Sequence, residues 1–186
     1  MNRLFIALPV NGEIRAALQP SYEFLRGYEN FLKPVAPANF HITVKFLGEC
    51  EGNVATAIES TFLEITAPQA EIPFSISGIG VFPDMKKPNV IWAGLKTDAD
   101  ALAQVFKNVE KYVANFRFKE EKREFIPHLT IARMKSGRKI AGELLKFVEK
   151  NGATEFGSSA FDRLTLYSSK LTPDGPIYTA LKSIKF

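Results

Sequence analysis

Both histidines of this chain sit in the same four-residue setting. His41-Ile42-Thr43-Val44 and His128-Leu129-Thr130-Ile131 each follow the imidazole with an aliphatic residue, a threonine and another aliphatic residue, 87 positions apart. The chain has 186 residues and only these two histidines, so independent placement would seldom give both the same neighbours. Displaced by the same 87 positions, Leu4-Phe5-Ile6-Ala7-Leu8 falls on Ile91-Trp92-Ala93-Gly94-Leu95 without a gap. The apolar stripe Leu18, Tyr22, Leu25 falls on Val105, Val109, Tyr112, and Ile58 falls on Leu145. Two copies are too few for a solenoid, which stacks three or more units. They imply one two-lobed domain over 1–186, with an internal repeat of approximately 3–81 and 90–168. One motif from each lobe would then meet its counterpart at a shared groove.

Local patterns give the elements of each lobe. Leu4 to Leu8 is a buried-strand run, and Asn11 is placed to cap a helix carrying apolar residues at 14, 18, 22, 25, 28 and 32. Pro20 lies inside that stripe and predicts a kink or break; Pro34 and Pro37 end it. The first motif strand follows and closes at Gly48. A second helix is expected over about 53–66 and a strand over 74–81, where Gly78 and Gly80 mark a bend or bulge. After an exposed basic turn at 84–88, a strand over 90–95 and a helix over about 98–115 open the second half. The mixed-charge run 117–123 reads as solvated. The second motif strand covers about 127–133, a short helix about 139–150, and Asn151-Gly152 stops it. The runs 163–168 and 177–186 form a hairpin around Thr172-Pro173-Asp174-Gly175. The class is α+β: a bilobal arrangement of two pseudo-symmetric, antiparallel-rich sheets facing a central groove, with helices on the outer faces.

In a strand, side chains alternate, so His41, Thr43 and Lys45 are expected on one face, and His128, Thr130 and Ala132 on the other strand's equivalent face. Two such strands about a pseudo-dyad present two imidazoles and two hydroxyls to one cavity. That set suits in-line displacement at phosphorus. One neutral imidazole takes a proton from the attacking oxygen, and the protonated one gives a proton to the leaving oxygen. Threonine hydroxyls can donate to non-bridging phosphoryl oxygens, and a nearby cation would stabilise developing charge. Taken singly, each residue has a structural alternative: a hydrogen-bonded strand histidine, a β-branched strand threonine, a solvated Lys45, core positions for Phe46 and Trp92.

Other chemistries fit poorly. Two distant histidines and the lone Cys50 do not make a zinc site, and no phosphate-cradling glycine loop, dinucleotide fingerprint or serine-nucleophile elbow occurs. No metal and no cofactor are expected. The single cysteine excludes an internal disulfide framework, no apolar run reaches membrane-spanning length, and a cytoplasmic, monomeric protein is expected. The net charge of +4 permits a polyanionic partner without requiring one.

The paired motifs resemble those of the two-histidine phosphoesterase superfamily. Arg3-Leu4-Phe5-Ile6-Ala7-Leu8, His41 through Glu49, and Pro127 through Arg133 are similar, more closely, to bacterial and archaeal RNA 2',3'-cyclic phosphodiesterases, first described as 2'-5' RNA ligases. Leu164 to Ser169 and Tyr178 to Leu181 extend the resemblance over nearly the whole chain. It implies hydrolysis of terminal 2',3'-cyclic phosphates of RNA, or of cyclic nucleotides, to 2'-phosphates, with His41 as proton donor and His128 as proton acceptor. It also implies ligand contacts from Phe46, against the base, and Arg133, at the phosphate. Strict alternation would put these two on the face away from the histidines, unless the strands bulge. Two alternatives stand beside hydrolysis: 2'-5' ligation or 2'-5' phosphodiesterase activity in the same groove, and an RNA-end binding module without chemistry.

Overall fold

The computed structural model describes residues 2–120, 126–137, 142–172 and 175–186. Among them, nine antiparallel strands form one curled sheet: β1 (Asn2–Pro9), β2 (Leu32–Pro34), β3 (His41–Cys50), β4 (Ile72–Phe82), β5 (Val90–Thr97), β6 (His128–Met134), β7 (Glu155–Phe161), β8 (Arg163–Thr172) and β9 (Gly175–Lys185). Their spatial order is β7-β4-β5-β6-β3-β1-β8-β9, with the short β2 paired to β6. The α-helices that pack on it are α1 (Gly12–Ala17), α2 (Gln19–Arg26), α3 (Gly52–Thr61), α4 (Ala99–Ala114) and α5 (Gly142–Lys150). The α+β class holds. Among the described residues, no helix is long and apolar enough to cross a membrane.

The two halves of the sheet meet at one residue pair, Ile42 against Leu129. Neither half is a continuous piece of chain. β4 pairs with β5 and β7, whereas β8 pairs with β1 and β9. The last strand of each chain half therefore completes the sheet of the other. The helices cross over too: α3 and α4 lie on β1 and β3, while α1, α2 and α5 lie on β7, β2 and β4. A lobe built this way cannot bury its apolar face without strands from both ends of the sequence.

Local signals explain most boundaries. The Asn11 side chain accepts from the Ile14 amide, capping α1, and Pro20 sits in the first turn of α2, so the expected break falls at Leu18. The helix does not continue to residue 32. It ends at Gly27, and Leu32–Pro34 pairs with β6 instead. The second helix likewise stops at Thr61 and tightens into a 3-10 turn over Phe62–Glu64. Asp98 accepts from the Asp100 and Ala101 amides and starts α4. β7 carries no strand signal in the sequence, since Gly157-Ser158-Ser159 has the composition of a loop. Residues 121–123 of the mixed-charge run, 139–141 of the last predicted helix and 173–174 of the hairpin turn lie outside the described residues.

The strand registers of the two chain halves differ by two residues. Ala7 pairs with Thr43, while Trp92 pairs with Thr130, so β5 sits two residues from the place that the displacement gives it. An even slip keeps every side chain on its own face, so hydrophobic patterning does not reveal it.

Candidate active site

The pair Ile42–Leu129 is buried on the helix-covered side. His41, Thr43, His128 and Thr130 flank that pair by one residue each, so all four project from the opposite face, into the concavity. Across an antiparallel pair, diagonal neighbours such as His41 and His128 lie about 7–8 Å apart along the backbone. The structure thus brings together all four residues named from the motifs.

Immediately beyond the threonine, strict alternation fails in both motif strands, in the same way. Ala7 pairs with Thr43 and Ile6 with Lys45, leaving Val44 as an extra residue; Trp92 pairs with Thr130 and Ile91 with Ala132, leaving Ile131 extra. Each motif strand therefore carries a bulge immediately after its threonine, and both read half-buried, buried, half-buried, buried, buried, exposed from the histidine onward. The bulge reverses the faces downstream. Phe46 (63% exposed) and Arg133 join the histidine face, and Lys45 and Ala132 leave it. The expected grouping of Lys45 with His41 and Thr43 is therefore corrected. Its Nζ turns under the sheet to Glu110 Oε1 at 2.6 Å and to the Lys119 carbonyl at 2.9 Å.

The two imidazoles are held alike. Nδ1 of His41 lies 2.7 Å from the Asn39 carbonyl, and Nδ1 of His128 lies 2.8 Å from the Ile126 carbonyl. A carbonyl can only accept, so each Nδ1 carries a proton and each Nε2 is left for the groove. Nε2 of His41 meets the Thr43 hydroxyl at 3.0 Å. Burial pushes the His41 imidazole down to about 4; the Asn39 carbonyl opposes this, and the charge of Arg133 adds to it. Arg133 belongs to β6 and His41 to β3. The guanidinium of one half-sheet is thus felt by the imidazole of the other.

Aromatic rings line both ends of the groove. Around His41, Phe5 lies at 4.9 Å, Tyr178 edge-on at 5.4 Å and Tyr167 at 6.3 Å. Phe5 also stacks on Tyr167 at 5.1 Å and reaches Phe46 at 6.2 Å. Phe82 meets His128 edge-on at 5.1 Å and lies beside Trp92. Trp92 is half-buried on the groove face, and its ring packs against Gly80, where an added Cβ would come within 2.3 Å. Gly78, not Gly80, is the bulge residue of β4, at φ 71°. Sequence patterning places Trp92 in the core and gives Tyr167, Tyr178 and Phe82 no role. Alternation from Thr165 to Tyr167 is the available signal for the first of these three.

The profile of the family described as LigT like Phosphoesterase matches residues 8–92 and again 95–178. A protein of Archaeoglobus fulgidus named RNA 2',3'-cyclic phosphodiesterase is 35% identical over 180 residues, covering 97% of this chain and 98% of its own. One of the same name from Aquifex aeolicus is 38% identical over 154 residues, 81% of this chain and 79% of its own. Among solved structures, the crystal structure of TT0787 of Thermus thermophilus superposes with a TM-score of 0.78 at 26% identity, covering 98% of this chain and 97% of that one.

Proposed function

We propose, for a chain that belongs to the LigT-like phosphoesterase family, that it hydrolyses 2',3'-cyclic phosphate ends of RNA to 2'-phosphates through its paired histidines, without a metal. The observation that supports this most is the placement of His41, Thr43, His128 and Thr130 on one face, astride the single pair joining the half-sheets. We also take the two chain halves to be copies of one unit, which accounts for two equivalent bulges and two equivalent Nδ1–carbonyl contacts.

In the proposed reaction, Nε2 of His128 removes a proton from water as the water oxygen bonds to phosphorus. The bond to the 3'-oxygen breaks, and the Nε2–H of protonated His41 supplies that oxygen's proton. The hydroxyls of Thr43 and Thr130 donate to the non-bridging oxygens, and Arg133 offsets their charge. Phe46, Phe5 and Tyr178 give the base an apolar shelf beside His41. The test is incubation with a 2',3'-cyclic nucleotide in chelator, followed by phosphorus NMR. A 2'-phosphate product is expected. A 3'-phosphate, or turnover that disappears with chelator and returns with metal, rules the mechanism out.

The donor role makes a further demand on His41. At about 4 in the free protein, its imidazole is neutral at neutral pH. A phosphate beside Arg133 would cancel the charge that disfavours protonation and accept from the imidazolium, so binding should raise the value. Between the free and bound values, binding then takes up a proton, and anion affinity falls by up to about tenfold per unit rise in pH. Imidazole NMR titration with and without a nucleotide 2'-phosphate checks this. If the bound value stays at that of the free protein, the acid and base roles belong the other way round.

A further inference from the structure

An open cavity of about 620 Å³ lies beside the groove, bordered by the end of β1, the start of α1, the end of β7 and the strands β8 and β9. Arg15, Glu71, Arg163, Thr165, Tyr167 and Ser183 line it. Thr165 and Tyr167 alternate with the buried Leu164 and Leu166, so they face the same concavity as His41. Nothing in the proposed hydrolysis uses this space.

The two arginines differ. Arg163 holds Asp162 through two hydrogen bonds of 2.8 and 2.7 Å, so its charge is matched. Arg15 has no ion-pair partner among the described residues, and its Nε is shut away from solvent with no acceptor. Arg15 is half-buried and lines the cavity, so its unmatched charge is open to an anion there. Hydroxyls line the same cavity: Thr165 and Ser183 lie 2.9 Å apart, and the charges of Arg15 and Arg163 both act on the Tyr167 phenol. Tyr167 also links this cavity to the reaction centre. Its hydroxyl end faces the arginines, while its ring stacks on Phe5 and lies 6.3 Å from the His41 ring. Pro9, another lining residue, is the β-partner of His41.

We propose that this cavity binds the phosphodiester and ribose of the nucleotide preceding the cyclic-phosphate end, so that RNA chains are preferred over free cyclic nucleotides; this rests on the RNA-end function above. Arg15 presents its fork to the phosphodiester oxygens. Glu71 accepts from the ribose 2'-hydroxyl, a group that DNA lacks. The ring of Tyr167 carries the stacking shelf from one base to the next. One uncommitted cation next to one carboxylate suits a singly charged phosphodiester with hydroxyls, and disfavours a polyphosphate.

The experiment compares a trinucleotide ending in a 2',3'-cyclic phosphate with the corresponding mononucleotide, using wild type, Arg15→Gln and Ala180→Trp. Ala180 is exposed on the edge strand β9, so an indole there fills the cavity from the side without disturbing the core. Both variants should lower kcat/KM for the trinucleotide about tenfold more than for the mononucleotide, through KM and not kcat. Equal losses on both substrates, or no loss on either, overturn the proposal. If the wild type turns over neither substrate, the hydrolytic function itself has failed. Binding of a trinucleotide 2'-phosphate then decides about the cavity: weaker binding to Arg15→Gln supports it, and unchanged binding overturns it.

Discussion

Replacing either histidine with alanine should lower kcat on a 2',3'-cyclic phosphate by about 10²- to 10⁴-fold, the range that a positioned general acid or base supplies. Removing both should cost little more than removing one, because acid and base act in a single displacement. Retained native-like circular dichroism will separate lost chemistry from lost folding. His41 needs closer attention in this control, since its ring packs on Phe5 and Tyr178 and its Nδ1–H satisfies the Asn39 carbonyl. His41→Asn keeps a polar donor there while removing the proton relay. Near-normal turnover in any of these variants would defeat the paired-histidine mechanism, because the chain has no third imidazole to take over either role.

The motif residues are legible in the sequence because they depend on a short-range rule. Alternation along a strand puts His41 with Thr43 and His128 with Thr130, whatever the strand pairs with. What lies beyond depends on partners distant in the sequence. Val44 and Ile131 look like ordinary strand residues, and they bulge because β1 and β5 skip one residue when they pair. The resemblance that names Phe46 and Arg133 conflicts with alternation for that reason, and the bulges remove the conflict. β7 escapes notice because its glycine and serines have low strand propensity, and an edge position beside β4 tolerates them. The exchange of β4 and β8 between half-sheets is also hidden, since the pattern of each chain half is the same whichever sheet its last strand joins.

Lys45 is where a face assignment has its largest energetic consequence. It lies two residues beyond Thr43, and unbroken alternation would have made it the cation of the site. Instead its side chain is 8% exposed, against 12% for Glu110 on α4, and the pair is closed at 2.6 Å. The Lys119 carbonyl takes a second N–H. Replacing Lys45 with methionine keeps the aliphatic stem but leaves the carboxylate of Glu110 buried without a cation. Breaking one side of such a pair costs about 3–5 kcal/mol, which for a domain of this size lowers Tm by about 10 °C. Changing both residues, Lys45→Met with Glu110→Leu, should recover most of the loss, since two apolar groups of similar volume leave no orphaned charge. Urea unfolding of the two single variants and the double variant measures this directly. The double variant should also turn over substrate within a few-fold of wild type, because the charge removed sits beneath the sheet and Arg133 stays on the groove face. A double variant that is stable but inactive would return Lys45 to the reaction centre and put the bulge after Thr43 in the wrong place.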